Sequence, residues 1–216
     1  AKLLLLDEPL GALDAKIRLE LRYELRRFAK DLKLTAIHIT HDQEEAMVIS
    51  DRIAVMRKGK ILQVGTPQEL YMKPNHVFVA NFVGESNFLE GHVLKVNKKE
   101  SIIGLRGGLS VQTLDTAHRK GEKVVVAIRP ELLVVKKGHE RKGNSFFGQV
   151  ERLRFEGANV RYEIRLENEE SVTVIRPALT TEWLDVGEKV TIGFPADKCL
   201  VFTYPEKGLR AELALE

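Results

Sequence analysis

The sequence is poor in the features that mark specialised classes. Cys199 is its only cysteine in 216 residues. It can form no intrachain disulfide and no cysteine-rich metal site, and such usage fits a reducing compartment. No apolar run approaches the roughly 20 residues needed to span a bilayer; the opening run, Leu3-Leu4-Leu5-Leu6, is one strand long. There is no secretory signal and no initiator Met. Neither sign of charge dominates: 34 basic side chains face 31 acidic ones, a net +3. That balance holds in both halves, so there is no basic tract and no nucleic-acid partner is expected. No glycine-rich phosphate loop of the form G-x-x-x-x-G-K-[ST] occurs, and Gly107-Gly108 is the only double glycine.

What is present is ordinary globular material, 44% hydrophobic and 30% charged, enough for one large domain or two smaller ones. Residues 3–6 read as a fully buried strand. A helix is expected over 15–33, with Leu21, Leu25, Phe28 and Leu32 at helical spacing. Residues 35–40 are short and β-branched, a second strand, and a helix follows over about 42–50. Residues 53–56 and 60–64 suggest a hairpin turning at Lys58-Gly59. Thr66-Pro67-Gln68-Glu69 has the form of a capping box with Pro at the first helical position. Alternating strands and helices predict a mainly parallel α/β sheet. Near Gly84-Glu85-Ser86-Asn87 the texture changes to many short β-like runs separated by turn residues. This predicts a small barrel or sandwich. The boundary falls at about 86–88, with an α/β part over 1–86 and a β domain over 87–216. The β region could be a degenerate repeat, but no repeat is visible in the sequence.

Leu3-Leu4-Leu5-Leu6-Asp7-Glu8 is an apolar run ending in two carboxylates. A buried parallel strand delivers its last residues to the carboxyl edge of its sheet, where ligands bind in open α/β folds. Asp7 there could hold Mg²⁺, usually through water, and Glu8 could polarise a water that attacks a phosphate. A core strand followed by an acidic helix start fits the run alone equally well. The next residues shift the balance: Pro9-Leu10-Gly11-Ala12-Leu13-Asp14 follows directly, and Ile39-Thr40-His41-Asp42 ends the next strand.

At this point the chain resembles the ABC ATPase family. "LLLLDEPLGALD" is similar to its Walker B segment and D-loop, and "THDQEEA" to its H-loop with the switch histidine. The resemblance implies an ATP- and Mg²⁺-dependent site. Asp7 would be the Mg²⁺-associated aspartate, Glu8 the catalytic glutamate, and Asp14 the D-loop aspartate acting across a homodimer. His41 would be the residue that contacts the γ-phosphate and holds Glu8 and its water. Asp42 and Glu45 are expected to cap or solvate the following helix. The family's phosphate loop and its Leu-Ser-Gly-Gly-Gln signature are absent, which suggests missing upstream sequence.

Residues 58–84 resemble the end of the nucleotide-binding domain in importers of the maltose, polyamine and iron type. Asn87-Phe88-Leu89 and Ile128-Arg129-Pro130-Glu131 look like marks of the appended TOBE domain, an OB-like barrel. The implied fold is a partial P-loop NTPase of α/β class followed by an all-β OB-like barrel. The implied function is the ATP-hydrolysing subunit of an ABC importer, here its C-terminal fragment, inactive alone. Its partners would be membrane permease subunits, its place the cytoplasmic face of the membrane. The alternative is a regulatory or ligand-binding module built on the barrel, taking a small ligand or a regulatory protein. Arg129 and Glu131 fit a local polar pair at a strand end as well as a site.

Overall fold

The computed structural model describes residues 3–11, 14–138 and 143–214. Ala12 and Leu13, inside the segment similar to the D-loop, lie outside the described residues. The chain divides into two compact units, Ala1–Gly84 and Glu85–Glu216, just ahead of the boundary expected from sequence. Among the described residues, no helix is long and apolar enough to cross a membrane.

The first unit is mixed α/β. It runs β1 (Leu3–Asp7), α1 (Ala15–Asp31), β2 (Thr35–Ile39), α2 (Gln43–Ile49), β3 (Ile53–Arg57), β4 (Lys60–Gly65), α3 (Pro67–Met72) and α4 (Val77–Phe82). β1 and β2 pair in parallel, Leu3 opposite Thr35 through Asp7 opposite Ile39. β3 and β4 form the expected hairpin, and Lys58 and Gly59 both take positive φ, the turn geometry that follows the twist of the strands. The Thr66–Glu69 capping box is present.

Two expectations are corrected here. The parallel sheet is a single pair, because β2 and β3 share no hydrogen bonds; a cleft of about 620 Å³ lies between them, lined by residues 36–41 and 53–56. The leucine strand is not fully buried: Leu3 is 50% exposed and Leu5 68%, beside exposed Ile37 and Ile39. A parallel sheet is stable when both faces are covered, and among the described residues nothing covers the face that carries Leu3, Leu5, Ile37 and Ile39. The stripe on α1 is likewise half covered, with Phe28 and Leu32 exposed. The packed core of this unit is Val55, Leu70, Phe78, Val79 and Val83. Phe78 and Val79 come from α4 and Val83 follows it directly; this six-residue helix is too short to show a period in sequence.

The second unit is β-rich. Its strands are β5 (Asn87–Val96), β6 (Ser101–Leu105), β7 (Ser110–Thr113), β8 (Lys123–Ile128), β9 (Val134–Lys137), β10 (Asn144–Glu156), β11 (Asn159–Leu166), β12 (Ser171–Pro177), β13 (Lys189–Phe194) and β14 (Leu200–Thr203), followed by α5 (Leu209–Leu213). They form two five-stranded sheets, β14-β8-β5-β6-β7 and β12-β11-β10-β13-β9, whose inward side chains share one core. The structure shows an internal duplication: β10–β14 repeat the pairing of β5–β9. Each copy gives its last strand to the other sheet, β9 pairing with β13 and β14 with β8. Register breaks recur at Val93 and Val150. Gly91 and Gly148 recur, and at both a Cβ would come within 2.7 Å of a backbone oxygen on the neighbouring strand. The buried Asn87 and Asn144 each open a first strand and bond the edge strand of the opposite sheet. Asn87 spans the Thr173 N–H and C=O, and Asn144 spans those of Gln112.

Arg129 is buried and donates to the Glu85 carbonyl and the Ser86 hydroxyl, which makes it a tie to the start of the unit. Phe146, Tyr162, Phe194 and Phe202 are core residues, whereas Phe155 and Trp183 meet at a tilt at the surface, ring centroids 5.6 Å apart.

Candidate functional site

The parallel pairing of β1 and β2 brings their carboxyl ends side by side, with Asp7 opposite Ile39. The Glu8 amide continues the ladder by donating to the Ile39 carbonyl at 2.9 Å. The chain then turns sharply: Gly11 N–H donates back to the Glu8 carbonyl, and Glu8 itself sits at φ 44° directly before Pro9. A non-glycine residue in this region costs on the order of 1 kcal/mol, and such strain clusters where geometry serves a purpose.

The turn aims the Glu8 carboxylate at the end of β2. His41 Nδ1 lies 3.1 Å from Glu8 Oε1, with both side chains largely exposed at 77% and 52%. The two residues singled out from sequence, 33 positions apart, therefore meet. Asp7 is exposed at the same edge. Asp14 is N-cap of α1, its carboxylate accepting from the Lys16 and Ile17 amides; the structure gives it a helix-starting role and does not bring it to the Glu8–His41 pair.

The residues around His41 carry more of the architecture than the sequence indicates. Asp42 caps α2, accepting from Glu45 N–H at 2.9 Å, and takes Arg22 Nη2 of α1 at 2.6 Å. Burial pushes the Asp42 carboxyl up, but the Glu45 amide and Arg22 outweigh it and hold it below the ordinary aspartate range. On Arg22 burial acts the other way, downward, and Glu44 and Asp42 carry the value above the usual guanidinium range. Glu45, expected to cap or solvate the helix, is instead buried. It accepts from the Thr40 hydroxyl, and its other oxygen is 2.5 Å from His38 Nε2, without hydrogen-bond alignment. His38 of β2 and Thr40, the residue just past its end, are two positions apart and both face Glu45, a relation the period of two in a strand makes legible. The Asp-x-x-Glu spacing of 42–45 was the available signal for a bond at the helix start.

Among the described residues, no group of three or more His, Cys, Asp or Glu side chains is placed to hold a metal ion by itself. This donor set suits Mg²⁺, which keeps several waters, takes one or two carboxylates and completes its shell with phosphate oxygens. Asp7 and Glu8 are the carboxylates available for it.

Comparison with known proteins places the chain in a family. The TOBE domain family matches residues 126–202. The spermidine/putrescine import ATP-binding protein PotA of Borreliella afzelii is 43% identical over 199 residues, which cover 91% of this chain and 53% of that protein. The Fe(3+) ions import ATP-binding protein FbpC of Fusobacterium nucleatum is 36% identical over 204 residues, covering 93% of this chain and 52% of that protein. The chain is homologous to the C-terminal half of ABC importer ATP-binding subunits. It spans about half the length of the curated relatives it matches. The cytoplasmic molybdate-binding protein ModG, in a crystal form with molybdate bound, matches 54% of this ABC importer homologue and 95% of its own chain. The TM-score is 0.50 at 17% identity, a likeness of fold.

Proposed function

We propose that this chain is the C-terminal part of the ATP-hydrolysing subunit of an ABC-type importer: the second half of a P-loop nucleotide-binding domain, followed by an OB-like TOBE domain with a regulatory role. The observation that carries the reading is the 3.1 Å approach of His41 to Glu8 across the carboxyl ends of two parallel strands. In this reading Glu8 orients and polarises the attacking water, and His41 holds Glu8 in place while offering its ring to the γ-phosphate. Asp7 would hold Mg²⁺, and Asp14, at the start of α1, would act across the dimer. Bound Mg²⁺ supplies charge neutralisation for the phosphates. The open cleft between β2 and β3 agrees with an α/β domain completed by further chain. The partners proposed are a second copy and permease subunits in a membrane, with the subunit on its cytoplasmic face. The import of a polyamine or of iron is what relatives are named for and is one range of substrates to test.

The decisive experiment is hydrolysis by the complete subunit. Glu8→Gln should abolish turnover while ATP binding persists, because the amide keeps the shape but is a far weaker base. His41→Ala should lose on the order of 10²-fold or more, the scale of general-base and electrostatic groups. Near wild-type turnover in both variants would overturn the assignment. The 216-residue chain alone, without a phosphate loop in its sequence, should release no phosphate above a blank at millimolar MgATP.

A further inference from the structure

Glu45 sits in the first turn of α2, where a carboxylate is normally free to face water. Its neighbour Glu44 does so, with a side chain 85% exposed, whereas the Glu45 side chain is 4% exposed. Burying a carboxylate is costly unless its bonds repay it. Those bonds all lead to the strand end that carries His41.

At the start of α3 the capping box closes directly: Glu69 accepts from the Thr66 amide, and Thr66 accepts from the Glu69 amide. At the start of α2 the same spacing closes through a relay. Asp42 accepts from the Glu45 amide as the cap should. The Asp42 amide, however, donates to the Thr40 hydroxyl at 3.0 Å, and that hydroxyl donates to Glu45 Oε2 at 3.1 Å. The Glu45 carboxylate lies beside His38 and does not reach the Asp42 amide; Thr40 fills the gap. The peptide that follows His41 is thereby held by Thr40, and Thr40 is held by Glu45. The Asp42 side chain is tied in turn to Arg22 of α1.

His41 has no such restraint on its own side chain. It is largely exposed, and even a charged pair at such a surface is worth only about 0–1 kcal/mol, too little to fix an imidazole. The backbone must deliver it. We infer that Glu45, acting through the Thr40 hydroxyl, is a positioning residue for His41. This rests on the catalytic reading of His41 given above and adds to it the device that holds the loop.

The test reads geometry rather than turnover. In the 216-residue chain, nuclear Overhauser contacts between the His41 ring and the Glu8 side-chain protons should be clear in the wild type. Glu45→Ala should weaken them several-fold, but that variant could unfold the first unit. Thr40→Val breaks the relay while keeping a β-branched strand residue, and Thr40→Ser restores the hydroxyl. Loss of the contacts in Thr40→Val with recovery in Thr40→Ser is the expected result, amide signals of α1 staying in place. Unchanged contacts in Thr40→Val, or loss that Thr40→Ser fails to recover, would overturn the inference. In the complete subunit the same substitution should lower kcat by up to about 10²-fold, the cost of a misplaced group, with KM for ATP within about twofold. If Glu8→Gln and His41→Ala left hydrolysis intact, the catalytic reading would fail while the contact data still decided the positioning.

Discussion

At the residue scale, Asp42 shows how a side chain assigned to a helix start serves tertiary structure too. It caps α2 and anchors Arg22 of α1. Its carboxyl is held below the ordinary range in the fold, so its stabilising contribution is fully present above the unfolded value near 3.9 and is lost as pH falls through the lower folded value. Stability of the first unit should therefore drop below about pH 4. Asp42→Asn should flatten that part of the profile, measured as thermal midpoints followed by α1 and α2 amide signals. An equally steep acid loss in the variant would remove Asp42 from the cause. Glu8 is the converse case: its chemistry is legible in Asp7-Glu8-Pro9, but its positive φ is not, since a residue before Pro is expected to be extended.

At the scale of elements, most strands and helices follow their sequence signals. The hairpin at Lys58-Gly59, the capping box of α3 and the two strands ending in Asp7 and Ile39 all stand where turn chemistry and short apolar runs put them. α4 escapes because six residues, four of them buried in a row, are too few to show an amphipathic period. The duplication escapes for another reason. Its strands share only a few positions, such as Asn87 with Asn144, Gly91 with Gly148 and Val93 with Val150, and loops of unequal length separate them. What the copies keep is what the geometry demands. At Gly91 an added methyl would stand 2.6 Å from Ile103 Cγ2 and at Gly148 2.8 Å from Ile164 Cγ2, in each case with a backbone oxygen at 2.7 Å. Ala at either position should thus cost about 1–3 kcal/mol, the range for overpacking a well-packed core. Urea denaturation of the second unit measures it, and unchanged midpoints in both variants would refute the equivalence of the two glycines.

At the scale of the whole molecule, the two units differ in completeness of burial. The second has one continuous core drawn from both sheets, with edge strands tied by Asn87 and Asn144. Residues 85–216 alone should melt cooperatively, and residues 1–84 alone should not. The first unit leaves Leu3, Leu5, Ile37 and Ile39 open. At about 1.5–3 kcal/mol for fully burying one such side chain, and with these four 50–68% exposed, that face represents on the order of 3–7 kcal/mol, a large share of the stability of a domain. The 216-residue chain should accordingly self-associate at tens of micromolar through this surface, seen by light scattering after size exclusion. A strictly monomeric chain whose β1 and β2 amides are protected from exchange would refute this.

The sequence by itself determined the local order of this protein: the strand ending in Asp7-Glu8, the helix starts, the hairpin, the run of short strands and the family resemblance all rest on residues close together in the chain. Tertiary structure alone decided which distant groups meet. It brought Glu8 to His41, routed Glu45 to Thr40 and His38, and passed the last strand of each β copy into the other's sheet. The physical reason is that propensity, capping and turn chemistry act over a few residues, whereas contacts across strands depend on pairing register and on which faces find cover. Local pattern constrains those only weakly, so the open leucine face of β1 and the swapped strands β9 and β14 appear only in the fold.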